Sequence, residues 1–125
     1  MISSAQPGNA ASLPDRPIRV MIVDDSAFMR FTISNRLSEV PGLTVVGTAR
    51  DGEEALALIP RLQPDVITLD VEMPRLNGLA TLREIMANFP RPVIMLSSLT
   101  SEGASETIQS LTYGAVDFIA KPAAK

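Results

Sequence analysis

The chain contains no cysteine and no histidine. Without cysteine there are no disulfides and no thiolate chemistry. Without histidine these residues hold no Ser-His-Asp hydrolase, no imidazole metal ligand and no phosphohistidine carrier. Positive charge is also short. Lys and Arg number 11 against 14 Asp and Glu, a formal net charge of −3, which argues against a basic surface for nucleic acid. No apolar run approaches the ~18 residues that a membrane-spanning helix needs. The first residues lack a charged start followed by an apolar core, so no signal peptide is expected and the cytoplasm is the expected compartment. Neither a Walker-type glycine loop nor a dinucleotide-type glycine pattern occurs. A bound nucleotide is therefore not the expected source of any phosphoryl group.

What remains fits one globular domain. The chain has 125 residues, 46% hydrophobic and 20% charged, enough for a single core. Residues 1–17 are rich in Ser, Ala, Asn and Gly, include Pro7, Pro14 and Pro17, and show no periodicity. They read as a disordered leader. Residues 18–125 read as the folded domain.

That domain is organised around Ile67-Thr68-Leu69-Asp70-Val71-Glu72-Met73-Pro74. Asp65 to Leu69 is a nearly unbroken apolar run rich in β-branched residues, the pattern of a strand buried on both faces. Asp70 ends it. Pro74 and Asn77-Gly78 then turn the chain into a helix.

Four other strands are read the same way. Ile18–Val23 ends in Asp24-Asp25, with Ser26 as N-cap of a helix running from Ala27 to about Val40. Met29, Ile33, Leu37 and Val40 form its apolar stripe. Leu43–Ala49 is the second strand. Asp51 and Glu54 make a capping box for the next helix, whose stripe is Ala55, Leu58, Ile59 and Leu62. Pro60 is expected to kink or end that helix one turn early. Leu79, Leu82, Ile85, Met86 and Phe89 mark the third helix. Arg91–Leu96 is the fourth strand, with Ser97-Ser98 at its carboxyl end. The fourth helix spans about Ser101–Tyr113 with Ala104, Ile108 and Leu111 inward. Val116–Ala120 is the fifth strand, followed by Lys121-Pro122.

Strand and helix thus alternate four times before a last strand. This order predicts an α/β fold with a parallel sheet and right-handed crossovers. In such a sheet the strand ends share one edge, so Asp24, Asp25, Asp70, Ser97 and Lys121 can converge.

Their convergence has a chemistry. Three carboxylates in one pocket repel, and a divalent cation resolves the conflict. An all-oxygen ligand set favours Mg²⁺. Lys121 is one of only two lysines beside nine arginines, and it supplies a compact positive charge. Ser97 supplies a hydroxyl. Together these make a phosphoryl-transfer site with Asp70 as nucleophile. Each residue also has an ordinary role. Asp24-Asp25 can compensate a helix dipole, Lys121 can snorkel from a sheet edge, and Ser97 can cap a helix. Two other classes of function fit the same residues. One is a small Mg²⁺-dependent phosphohydrolase with Glu72 as general acid, and the other is a binding module with an inert acidic edge.

Taken together the residues resemble the receiver domain of two-component response regulators, from about Ile18 to Pro122. The likeness rests on Asp24-Asp25, Asp70 with Met73-Pro74 and Gly78 behind it, Ser97 and Lys121-Pro122. It implies a flavodoxin-like, doubly wound five-stranded sheet in the order 2-1-3-4-5. It also implies that Asp70 takes a phosphoryl group from the phosphohistidine of a histidine kinase. Mg²⁺ would be held by Asp24, Asp25, Asp70 and the backbone carbonyl of Glu72. Ser97 and Lys121 would read the phosphate, and Phe118 stands at the family's aromatic switch position.

A narrower likeness runs through Val23-Asp24-Asp25-Ser26-Ala27-Phe28-Met29-Arg30, Leu69-Asp70-Val71-Glu72-Met73-Pro74-Arg75, Met95-Leu96-Ser97-Ser98-Leu99-Thr100 and Gly114-Ala115-Val116-Asp117-Phe118. These segments are similar to the receiver of chemotaxis protein-glutamate methylesterases, where phosphorylation relieves inhibition of a C-terminal esterase. The chain is then expected to be either the regulatory part of a longer protein or a free-standing relative. Receivers carry a fifth helix after the Lys-Pro pair, and no residues remain here for one. Ile119 is expected to face the side that helix would cover, leaving an apolar strip able to pair with a second copy. Phe28 and Phe31 are expected on the outer side of the first helix, as a patch for a partner.

Overall fold

The computed structural model describes residues 16–98 and 101–121, without the side chains of residues 101–104. Most of the expected leader, Pro122 and the inward placing of Ala104 lie outside the described residues. At the leader's end, Arg16 clasps the Asp65 carboxylate with bonds of 2.7 and 3.0 Å.

Strands and helices alternate as β1 (Ile18–Val23), α1 (Ala27–Ser38), β2 (Leu43–Ala49), α2 (Gly52–Leu62), β3 (Val66–Asp70), α3 (Gly78–Asn88), β4 (Val93–Ser97), α4 (Ser101–Thr112) and β5 (Asp117–Ala120). All strand pairs are parallel, in the order β2-β1-β3-β4-β5. This is the flavodoxin-like sheet expected from the sequence.

The two faces of the sheet are separated by the alternation of the strands. In β1, Met21 and Val23 point to a core shared with Ala55 and Ile59 of α2 and Leu82 and Ile85 of α3. Val20 and Ile22 point the other way, to Met29 and Ile33 of α1. Both faces of β1 are therefore apolar, which is why its sequence reads as one hydrophobic run.

Helix starts follow the sequence closely. Ser26, Asp51 and Asn77 accept from the backbone N–H groups of Met29, Glu54 and Ala80 at 3.2, 2.8 and 2.9 Å. The Glu54 carboxylate reaches back to the Arg50 N–H at 2.8 Å.

Helix ends and one helix face depart from expectation. α1 stops at Ser38, and Val40 is exposed rather than part of the stripe. The Glu39 N–H bonds to the Arg36 and Leu37 carbonyls, a tightened last turn, and Val40 precedes Pro41, a position that disfavours helix. Pro60 does not end α2 early. It lies in the last turn, and the helix runs on to close at Gln63 in the left-handed region, φ 51°.

α4 reverses the expected face. Ile108 is 65% and Leu111 42% exposed, while Thr107 and Ser110 are buried. The Ser110 hydroxyl donates to the Thr107 carbonyl at 2.5 Å, so this buried polar group is satisfied inside its own helix.

Candidate functional site

The chain leaves β1 toward β2 on one side and returns in β3 on the other, so a crevice opens at the carboxyl ends of β1 and β3. Asp24 follows β1, and its N–H is held by the Ala49 carbonyl at 3.0 Å. Its Oδ1 accepts from the Ser26 N–H at 2.9 Å, and the Arg30 guanidinium holds its carbonyl at 2.8 Å. Asp24 is thereby locked inward and fully buried, while Asp25 is exposed at the rim.

Asp70 closes β3 and is fully buried. The next residue is tied to β4 by a Val71 N–H to Leu96 carbonyl bond of 2.9 Å. Gly78 makes this turn possible. A Cβ there would lie 2.2 Å from the Asp70 carbonyl oxygen and 2.7 Å from the Val71 Cα. Only a residue without a side chain lets α3 start against the backbone of the acidic residue. Arg75, in the same loop, adopts φ 63° and is pinned by a 2.5 Å ion pair to Asp51, the N-cap of α2.

Lys121 follows β5, with its N–H on the Ser97 carbonyl at 2.9 Å. Its ammonium reaches across the end of β4 to Asp70 Oδ1 at 2.9 Å and Asp24 Oδ2 at 3.4 Å. Burial alone would lower the Lys121 pKa. The hydrogen bond to Asp70 and the charges of Asp70 and Asp24 outweigh it and hold the ammonium charged. Burial is also the largest influence on the carboxyls. It raises Asp24 despite the Ser26 N–H and the Lys121 charge. Asp70 is pushed up to about 7 by burial, with the Asp24 charge adding to the push and Lys121 opposing it.

The two oxygens of Asp70 differ. Oδ1 receives the Lys121 ammonium and the Glu72 N–H, the latter at 3.1 Å. Oδ2 is buried with no hydrogen-bond partner among the described residues, while the buried Asp24 Oδ2 faces the Lys121 ammonium at 3.4 Å. Carboxylate oxygens of Asp24, Asp25 and Asp70 lie within 4.8 Å of one another. Three clustered carboxylates that share one ammonium among the described residues suit a hard divalent cation with oxygen ligands.

The other expected residues lie on β4, β5 and α1. Ser97 is buried at the end of β4, but its hydroxyl donates to the Ser98 carbonyl at 2.8 Å. Phe118 lies on β5 opposite Met95 and is 42% exposed. Ile119, on the alternate side, lines a hollow of about 350 Å³ with Ile33, Leu37, Ile94 and Leu96. Phe28 and Phe31 are both exposed, as the sequence suggested. Sequence reasoning missed the roles of Arg30 and Arg75 and the bond of the Ser98 hydroxyl to the Glu72 carboxylate. These pairings join residues far apart in the chain or side chain to backbone, and no spacing announces them.

The model of the response regulator receiver domain matches residues 20–125. A protein-glutamate methylesterase/protein-glutamine glutaminase of Symbiobacterium thermophilum is 63% identical over 107 residues, 86% of this chain and 30% of that protein. The chain thus spans about a third of the length of such relatives. The crystal structure of the response regulator domain of Thermotoga maritima CheB aligns with TM-score 0.79 and 55% identity, over 86% of this chain and 80% of that one. A CheX-CheY-BeF3-Mg complex from Borrelia burgdorferi aligns with TM-score 0.77 and 35% identity, over 87% of this chain and 81% of that one. On this fold and with this acidic edge, the chain belongs to the response regulator receiver domain family of two-component signalling, and it is similar to the receiver domains of protein-glutamate methylesterases.

Proposed function

We propose that this chain is a phosphorylation-controlled switch in chemotaxis, accepting a phosphoryl group on Asp70 from the phosphohistidine of a histidine kinase. The supporting observation is the asymmetry of Asp70. One carboxylate oxygen is held by Lys121 and the Glu72 N–H, and the other is unpartnered. That oxygen attacks phosphorus, a new P–O bond forms, and the P–N bond breaks. The electron pair leaves on the imidazole nitrogen, which takes a proton from solvent. Lys121 offsets charge on the acceptor carboxylate and fixes its orientation throughout.

Asp24, Asp25, Asp70 and the backbone carbonyl of Glu72 are the groups proposed to hold Mg²⁺. When bound, Mg²⁺ neutralises the clustered carboxylates and the transferring phosphoryl oxygens. Ser97, at the neighbouring strand end, is proposed to turn its hydroxyl to a phosphoryl oxygen. Phe118 reports the change by moving from its exposed position into space near Ser97, a shift between two packings. The output is an attached methylesterase domain or a separate protein partner.

Phosphoramidate, a small donor with the same P–N bond, tests the reading. Incubation with MgCl₂ should add one phosphoryl mass to the intact protein, and a chelator should abolish it. Equal labelling in the presence of chelator would contradict the metal-assisted mechanism.

A further inference from the structure

A chain of hydrogen bonds leads from Ser97 back to Asp70. The Ser97 hydroxyl donates to the Ser98 carbonyl at 2.8 Å. The Ser98 hydroxyl donates to Glu72 Oε1 at 2.6 Å. The Glu72 N–H donates to Asp70 Oδ1 at 3.1 Å. The middle bond joins the loop after β3 to the loop after β4. A hydroxyl on a carboxylate at this distance is a short, charge-assisted bond.

Resting on the phosphoacceptor reading above, we propose that Ser98 and Glu72 are positioning residues for phosphoryl transfer. Their bond fixes Ser98, and with it the carbonyl on which the Ser97 hydroxyl is parked. Ser97 can serve a phosphoryl oxygen only after it leaves that carbonyl. The clasp therefore stabilises the resting arrangement and lowers the population in which Ser97 is ready. Coupling runs in both directions. A phosphoryl group on Asp70 drains charge from the carboxylate that holds the Glu72 N–H, which loosens Glu72 and releases Ser98. This pair is separate from Lys121, which acts on Asp70 directly.

The test is the rate of labelling by acetyl phosphate with MgCl₂, read by intact mass, for the wild-type chain and four variants. Ser98→Ala and Glu72→Ala should each label about three- to tenfold faster, the weight of one such bond. The double variant should label no faster than either single one. Ser98→Thr, which keeps the hydroxyl, should label at the wild-type rate. Glu72→Ala also removes a negative charge that repels an anionic donor. That effect would survive in the Ser98→Ala background and fade with salt, whereas release of the clasp would do neither. Far-UV circular dichroism and melting confirm that each variant is folded. Wild-type rates for Ser98→Ala, or additive effects in the double variant, overturn the clasp while leaving Asp70 as acceptor. A wild-type chain that takes no label overturns the phosphoacceptor reading and the clasp with it.

Discussion

The Lys121 ammonium lies 2.9 Å from Asp70 Oδ1, although the two residues end strands separated by β4. Lys121 is the cation that stands directly on the buried Asp70 carboxylate, and it shares its charge with Asp24. Replacing it with Met leaves two buried carboxylates without a counter-charge. We expect Lys121→Met to lose about 3 kcal/mol of stability at pH 8. The loss should shrink at pH 5.5, where Asp70 takes up a proton instead. Urea denaturation at the two pH values checks both statements.

The metal-free wild-type chain should itself be more stable in mild acid. The Asp70 pKa is raised to about 7 in the fold, and Asp24 is also raised. Between the ordinary carboxyl range and about 7 the folded state binds more protons than the unfolded one. Stability from these groups is full below the unfolded pKa and is lost as pH rises through the folded one. Asp65, held down by the Arg16 hydrogen bond, and Asp51, held down by the Glu54 N–H, act in the opposite sense, but only in stronger acid. In chelator, the melting temperature at pH 5.5 should exceed that at pH 8 by roughly 5 °C. Asp70→Asn should remove most of that difference.

Mg²⁺ affinity should depend on Asp25 without dependence of the fold on it, because Asp25 is exposed. Asp25→Ala should weaken Mg²⁺ binding by more than about tenfold and leave the melting temperature nearly unchanged. Calorimetric titration gives the first number and a thermal melt the second.

Gly78 offers a purely steric test. A methyl group there meets the Asp70 carbonyl oxygen and the Val71 backbone, neither of which can swing aside. Gly78→Ala should cost about 2–3 kcal/mol by chemical denaturation.

Much of this was legible because the governing signals are local. β1 and β2 have the bounds their apolar runs mark, Ile18–Val23 and Leu43–Ala49. Ser26 and Asp51 cap the helices they precede. The parallel topology brings Asp24, Asp25, Asp70 and Lys121 to one edge once the strand order is known. The failures are where tertiary packing decides. α4 has two candidate faces offset by one residue, and apolarity selects Ile108 and Leu111. The structure buries Thr107 and Ser110, small side chains whose polar needs can be met within the helix. The direction of the Ser97 hydroxyl is set by a neighbouring carbonyl, and a sequence carries no record of a rotamer.

The hollow beside Ile119 carries a prediction of its own. Ile119 is 53% exposed, and Thr68 Oγ1 beneath the same hollow is buried without a partner among the described residues. The 125-residue chain is expected to pair with a second copy at micromolar concentration. Ile119→Lys should shift light scattering toward the monomer with little change in melting temperature.

The central claim is that Asp70 is the phosphoacceptor. Asp70→Asn keeps the shape of the side chain and removes the nucleophile. With acetyl phosphate and MgCl₂, intact-mass analysis of the wild-type chain should show one added phosphoryl group that Asp70→Asn does not acquire. The same added mass on Asp70→Asn, under the same conditions, would contradict the account.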